Sequence, residues 1–204
     1  MCGSVSALAV AAFAVCAATD WVAVARARKH LEYVAKPAAL AALIVYATAG
    51  AHPSGWLIAA LVFSLLGDVY LMLPADLFAP GLVAFLLAHL AYIADFDAPV
   101  TWRVIWLVVL LAGSVPLALR IMRAVKESAL RPAIALYMTV ITLMVASALA
   151  SGSRLAVVGA LLFFASDGVL AWNRFVHPFP RGPLAVIVTY HLGQLALATA
   201  LRAG

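Results

Sequence analysis

The stretch SLLGDVYLML, residues 64–73, sets Asp68 inside a run that is otherwise lipid-soluble, and GALLFFASD, residues 159–167, ends on Asp167 in the same kind of setting. A carboxylate at the centre of a membrane helix costs about 2.5–3.5 kcal/mol on insertion scales, so two of them must face a bundle interior or a water-filled cavity. A lone intramembrane aspartate also serves as hydrogen-bonding glue between helices. A matched pair is read as functional, because two carboxylates in different protonation states are the equipment of an acid and its partner base. His89 and His191 supply two more ionisable groups in apolar surroundings. Ser64 lies one helical turn from Asp68, Tyr92 one turn from His89, and Gln194 about a turn from Tyr190 and His191, so all are phased to join the same layer. Gly67 and Gly168, each beside an aspartate, leave room for a neighbouring helix or a substrate at the carboxylate.

The elements that position these groups follow from composition. The chain has 204 residues, of which 67% are hydrophobic and 10% charged, with a mean hydropathy of +1.12. A soluble domain cannot cover its surface with so few polar atoms, so the chain is expected to be an integral membrane protein. Backbone groups in lipid must be satisfied internally and about 20 apolar residues cross the bilayer, so the fold class is all-α and polytopic. Apolar segments bounded by Pro, Gly or charge predict spans at Ser4–Ala25, Pro37–Gly50, Gly55–Leu73, Phe78–Ala94, Trp102–Met122, Pro132–Ala150, Leu155–Asn173 and Pro183–Leu201. The second is short for a crossing. Met1–Ala18 has no Lys or Arg, unlike the n-region of a secretory signal, and is expected to remain as part of the first span. Cys2 and Cys16 on that segment read as small packing residues.

The net charge of +5 points to topology and anionic lipid rather than to nucleic acid. Arg26, Arg28, Lys29, Lys36, Arg120, Arg123, Lys126, Arg131, Arg174 and Arg181 follow spans 1, 3, 5 and 7, against Arg103, Arg154 and Arg202 on the other side. The positive-inside rule therefore places the basic loops in the cytoplasm, as for a protein of a bacterial-type inner membrane. At about 1.5 Å per residue, Asp68 lies roughly 9 Å from the cytoplasmic end of its span, Asp167 about as deep, and both histidines at roughly 12 Å. Asp20, near the end of the first span, is expected to form a salt bridge with the basic loop.

The two halves, about 1–101 and 102–204 of a single membrane domain, repeat. Glu32-Tyr-Val-Ala-Lys36-Pro37-Ala38 recurs as Glu127-Ser-Ala-Leu-Arg131-Pro132-Ala133 at an offset of 95, Asp68 as Asp167 at 99, and Ala88-His89 as Tyr190-His191 at 102. Three matches in one order predict a duplicated four-helix unit. An even number of spans per unit makes the two repeats parallel. Each Glu-x-x-x-Lys/Arg-Pro element is read as a helical ion pair followed by a proline in the first turn of the next span. Lys36 and Arg131 then either mark a helix start or touch a headgroup phosphate.

At these residues the sequence resembles the YhhN family of eight-helix membrane proteins, a lysoplasmalogenase-like group. Lys36-Pro37, Gly67-Asp68, GLVAFLLAHLAYI with His89 and Tyr92, GALLFFASD with Asp167, and TYHLGQ with Tyr190 and Gln194 carry the resemblance over nearly the whole chain. It implies hydrolysis of the vinyl ether bond of a lysoplasmalogen or related lysolipid, giving a fatty aldehyde and a glycerophospho-base without a cofactor. Such hydrolysis needs a proton on carbon, a stabilised oxocarbenium-like species, and water, a task for two carboxylates as in glycoside hydrolysis. Asp68 and Asp167 are then the expected acid and base or stabiliser, with His89 beside them. Tyr92, Tyr190 and Gln194 would orient water and substrate, and Lys36 or Arg131 would meet the phosphate of the lysophospholipid. Two further readings stay open. A proton-coupled carrier also uses parallel repeats with midplane carboxylates. Two Asp and two His at one depth could ligate zinc, although no helix offers paired ligands such as His-x-x-x-His.

Overall fold

The computed structural model describes residues 2–202, which form eight helices long and apolar enough to cross a membrane. They are α1 (Cys2–Ala25), α2 (Lys29–Thr48), α3 (Gly55–Met72), α4 (Phe78–Asp95), α5 (Val100–Ala124), α6 (Arg131–Ala150), α7 (Arg154–Ala171) and α8 (Gly182–Arg202). A 3-10 turn, Ser128–Leu130, leads into α6, and one turn of π-helix, Trp172–Val176, extends α7. No strand occurs among the described residues. The expected spans therefore reappear, most of them within a residue or two of the predicted ends.

The second span differs. α2 begins at Lys29, two turns before Pro37, and the proline falls inside the helix. Pro37 has no N–H to give the Tyr33 carbonyl, a gap that interior proline always leaves. The earlier start is favoured by Glu32, whose carboxylate sits in the first turn at the positive end of the helix dipole. Lys36-Pro37 is thus not a helix start, in contrast to Arg131-Pro132, where proline does occupy the first turn of α6.

Successive helices pack as pairs, α1 on α2, α3 on α4, α5 on α6 and α7 on α8. The fourth helix of each half also crosses to the other half: α4 packs on α6, and α8 on α1, α2 and α3. α3 and α7 match closely. Both have 18 residues, and each opens with a serine whose side chain accepts from a backbone N–H at 3.3 Å, Ser54 from Leu57 and Ser153 from Ala156. Asp68 and Asp167 stand at the same position along these two helices.

The core between the helices is small-residue and aromatic. Leu40, Leu43, Leu57, Leu61, Tyr92, Met144, Phe163 and Leu197 are fully enclosed there. Cys16 is a half-buried free thiol against this core, as a packing residue would be; the side chain of Cys2 lies outside the described residues. α5 is the outlying helix, with Ile121 its one buried residue. α7 and α8 approach at glycine: a Cβ on Gly159 would lie 2.8 Å from the Leu197 nitrogen and 3.0 Å from the Gly193 carbonyl oxygen. Both obstacles are backbone, so the helices would have to separate.

Gly159→Ala is accordingly expected to destabilise the protein by about 1–3 kcal/mol, the usual cost of overpacking. Gly113→Ala on α5, where a Cβ meets nothing within 4 Å, is expected to stay within about 1 kcal/mol of the parent. Thermal unfolding of the two variants side by side in detergent checks the contrast.

Candidate active site

Each aspartate is held by two side chains from other helices. Asp68 on α3 meets the Lys36 ammonium of α2 at 3.0 Å through Oδ1, and its Oδ2 accepts the Tyr190 hydroxyl of α8 at 2.7 Å. Asp167 on α7 accepts at Oδ2 from the Tyr137 hydroxyl of α6, and His89 Nε2 of α4 stands 3.5 Å from the same oxygen. His89 Nε2 is also 2.9 Å from the Tyr137 oxygen. Because the single phenolic hydrogen goes to Asp167, His89 Nε2–H donates to the phenol, which becomes a link between imidazole and carboxylate. Phe163 fills the space between these clusters, with its ring edge-on to His89 at 4.7 Å and to Tyr190 at 5.2 Å.

Both carboxylates line one chamber of about 430 Å³, together with Lys29, Glu32, Lys36, Ser166, Asn173 and Tyr190. Its rim is formed by the α1–α2 and α7–α8 connections, so it faces the basic end of the bundle. Asp68 lies at the back, its side chain 2% exposed, and Asp167 is more accessible at 15%. Asp167 also borders a second, almost wholly apolar slot lined by Phe78, Leu82, Leu117, Ile134 and Phe164. Leu71, Phe85, Asp167 and Leu170 are common to the two spaces. Asp167 therefore stands where a polar compartment gives way to an apolar one.

Among the residues expected at the site, Asp68, Asp167, His89, Lys36 and Tyr190 are brought together. Tyr92 and Gln194 meet each other in a hydrogen bond from the tyrosine hydroxyl to Gln194 Oε1, deeper in the bundle and fully buried. Ser64 is buried near Asp68 on the same helix, yet its hydroxyl has no hydrogen-bond partner among the described residues. His191 turns away from the carboxylates and accepts from the Trp21 indole N–H at 3.1 Å, with the Phe13 ring edge-on to it. Arg131 does not line the chamber; its guanidinium donates to the Val125 carbonyl at 3.0 and 3.2 Å, closing the end of α5. The ion pair expected within Glu32-x-x-x-Lys36 is also replaced. Glu32 takes Lys29 at 2.8 Å, and Lys36 is drawn inward to Asp68. Asp20, expected to bridge to the basic loop, is fully enclosed, and neither oxygen has a hydrogen-bond partner among the described residues. Its electrostatic neighbours are Lys36, Glu32, Asp68 and Lys29, so it adds a third carboxylate behind the chamber.

Tyr137 is the functional candidate that sequence reasoning missed. The repeat sets Lys36 against Arg131, because both precede a proline, and so leaves Tyr137 without a counterpart. Once α2 is seen to start at Lys29, the α6 position facing an aspartate as Lys36 does is that of Tyr137. A tyrosine inside the largely apolar ALYMTVITL stretch is the available signal. No group of three His, Cys, Asp or Glu side chains is placed as metal ligands would be among the described residues.

The YhhN family model matches residues 31–201, which include Asp68, Asp167 and the four side chains that hold them, Lys36, His89, Tyr137 and Tyr190. The chain belongs to the YhhN family. The human protein named lysoplasmalogenase TMEM86B is 38% identical over 145 residues, 70% of this chain and 62% of the human one. The mouse protein of that name is 33% identical over 162 residues, 78% of this chain and 70% of its own length. A lysoplasmalogenase of Mycobacterium tuberculosis is 34% identical over 151 residues, 66% of this chain and 57% of that protein. The match thus spans less than two thirds of the human and mycobacterial relatives. No solved structure matches the chain.

Removing one partner of a buried ion pair strands the other charge. Lys36→Met is expected to destabilise the protein by about 3–5 kcal/mol. The double change Lys36→Met with Asp68→Leu removes both charges and should recover a large part of that loss. Unfolding of the single and double variants in detergent gives the coupling.

Proposed function

We propose that this YhhN protein is an integral-membrane hydrolase that cleaves the vinyl ether bond of a lysoplasmalogen, with Asp167 and Asp68 as the reacting pair. The observation that carries the proposal is that both carboxylates line one chamber and that Asp167 also borders an apolar slot. A lysoplasmalogen has the same layout, because its vinyl ether lies where a polar glycerophosphate joins a hydrocarbon chain. The names of the relatives support this substrate class.

The reaction is R–CH=CH–O–R′ + H₂O → R–CH₂–CHO + HO–R′. In our assignment Asp167, at the junction, delivers a proton to the alkenyl carbon distant from oxygen, leaving an oxocarbenium-like centre on the carbon that bears oxygen. Asp68 supplies negative charge across the chamber, held in place by Lys36 and Tyr190. Water adds to the oxocarbenium carbon and loses a proton to the Asp167 carboxylate, and the hemiacetal then collapses to aldehyde and alcohol. His89 and Tyr137 fix the Asp167 carboxyl group and connect it to a second proton-holding group. Lys29 and Lys36 at the chamber wall provide the cations for a headgroup phosphate. With the basic loops on the cytoplasmic side, the chamber mouth faces the inner leaflet.

We also propose that the bundle arose by duplication of a four-helix unit. Equivalent helices hold equivalent aspartates: α2 and α8 supply the partners of Asp68, and α6 and α4 those of Asp167. A proton-coupled carrier is the second reading, favoured by this same recurrence of ionisable groups about a central axis.

Purified protein in detergent is expected to release aldehyde from lysoplasmalogen, with no membrane gradient, and none from an acyl lysophospholipid. Asp167→Asn should lower the rate by about 10²–10⁴-fold, the range of general acid–base catalysis, with the folded state verified by its unfolding temperature. Full activity in that variant would remove Asp167 from the mechanism. Wild-type protein that moves substrate across a vesicle membrane without releasing aldehyde would favour the carrier.

A further inference from the structure

Leu117 of α5 and Phe164 and Gly168 of α7 line the apolar slot beside Asp167, and the same three residues line a groove on the outer side of the bundle, which Val169, Trp172 and Phe179 complete. Slot and groove share this one wall, and together they mark an apolar path from the carboxylate to the lipid-facing surface between α5 and α7 that only these three residues interrupt. α5 is the helix best suited to yield there. It packs chiefly on α6 and the π turn, buries only Ile121, and carries Pro116 next to Leu117. Pro116 removes the backbone hydrogen bond to the Ala112 carbonyl and so lowers the resistance of the helix to bending at that level.

We propose that this path is the subsite for the hydrocarbon chain, reached sideways from the bilayer between α5 and α7, and that Gly168 sets its girth. The inference rests on the hydrolase reading above for the identity of the chain. The occupant is the hydrocarbon chain of an amphiphile, because the walls are apolar along their length while the inner end opens on Asp167 and the polar chamber, where a polar group of the same molecule can lie. Gly168 is adjacent to the reacting carboxylate and lines both slot and groove. A Cβ there meets only Leu117 Cδ2, at 3.7 Å. A side chain at this position is thus accommodated by the fold yet projects into the path. The two products then separate by polarity. The aldehyde returns to lipid through the slot, and the glycerophospho-base leaves through the basic mouth of the chamber.

The test uses Gly168→Leu in the full-length protein, with a long-chain and a short-chain lysoplasmalogen of one headgroup and a non-cleavable saturated-ether lysolipid of long chain. The ratio of kcat/KM for the long over the short substrate is expected to fall at least about tenfold, chiefly through KM, as for other pockets that discriminate chain size. The Kd of the non-cleavable lipid should weaken by a comparable factor. Leu117→Trp, which fills the path from the opposite wall, should do the same and stands in if Gly168→Leu does not fold. An unchanged ratio, an equal loss for both chain lengths, or an unchanged Kd overturns the chain subsite. Weakened Kd in a protein that never releases aldehyde upholds the subsite and sinks the hydrolase reading alone.

Discussion

An ionisable side chain inside a lipid-facing bundle is tolerated only where other groups answer its hydrogen-bonding capacity and any charge it carries, and much of this architecture follows from meeting that demand twice. Asp68 takes partners from α2 and α8, and Asp167 from α6 and α4. The two clusters thereby bind six of the eight helices into one set of polar contacts. α1 contributes from behind, with Trp21 on His191 and Asp20 beneath Lys36. α5 takes no part in either cluster, and it is also the helix with the least buried surface. Within an environment where lipid is as apolar as any leucine, such interhelical polar contacts and glycine approaches like Gly159 to Gly193 are what distinguish one helix arrangement from another.

The two clusters share a plan but not a composition. An ammonium, Lys36, faces Asp68 where a phenol, Tyr137, faces Asp167, and a phenol, Tyr190, faces Asp68 where an imidazole, His89, faces Asp167. The cluster with a permanent cation holds its aspartate at the back of the chamber. The cluster with imidazole and phenol presents its aspartate at the boundary between polar and apolar space. Two carboxylates at matching helix positions thus stand in different surroundings, the condition under which an acid and a base differ in role.

What was legible in the sequence was what periodicity and desolvation control. Helix number and ends followed from apolar run length, and Asp68, Asp167, His89 and Tyr190 stood out because a polar group in such a run needs a reason. A short motif near a proline reads as a boundary marker, and that reading obscures two positions. Lys36, read as either a helix start paired with Glu32 or a phosphate contact, has its ammonium drawn into the interior by Asp68, and Lys29 takes Glu32 instead. The same misplacement set Arg131 as its counterpart and hid Tyr137. Asp20 makes no hydrogen bond to a loop arginine among the described residues, because one-dimensional proximity to Arg26 and Arg28 says nothing of which face of α1 is buried.

The far side of the clusters bears on the choice between hydrolysis and transport. A carrier must expose its central site to each membrane face in turn, so the layer beyond the site has to be able to part. Here that layer is closed by Tyr92 bonded to Gln194 and by the enclosed side chains of Leu43, Leu57 and Leu197, all with essentially no exposure. Parting it would strand the buried hydrogen-bonding groups that α4 and α8 exchange, at the cost of unsatisfied polar atoms in a low-dielectric interior. The chamber and the slot, by contrast, both lie on the near side and meet at Asp167. A substrate that arrives from one leaflet, reacts, and leaves as two products on that same side asks nothing of the sealed half. The distribution of polar contacts therefore favours chemistry at a one-sided site over passage through the bundle.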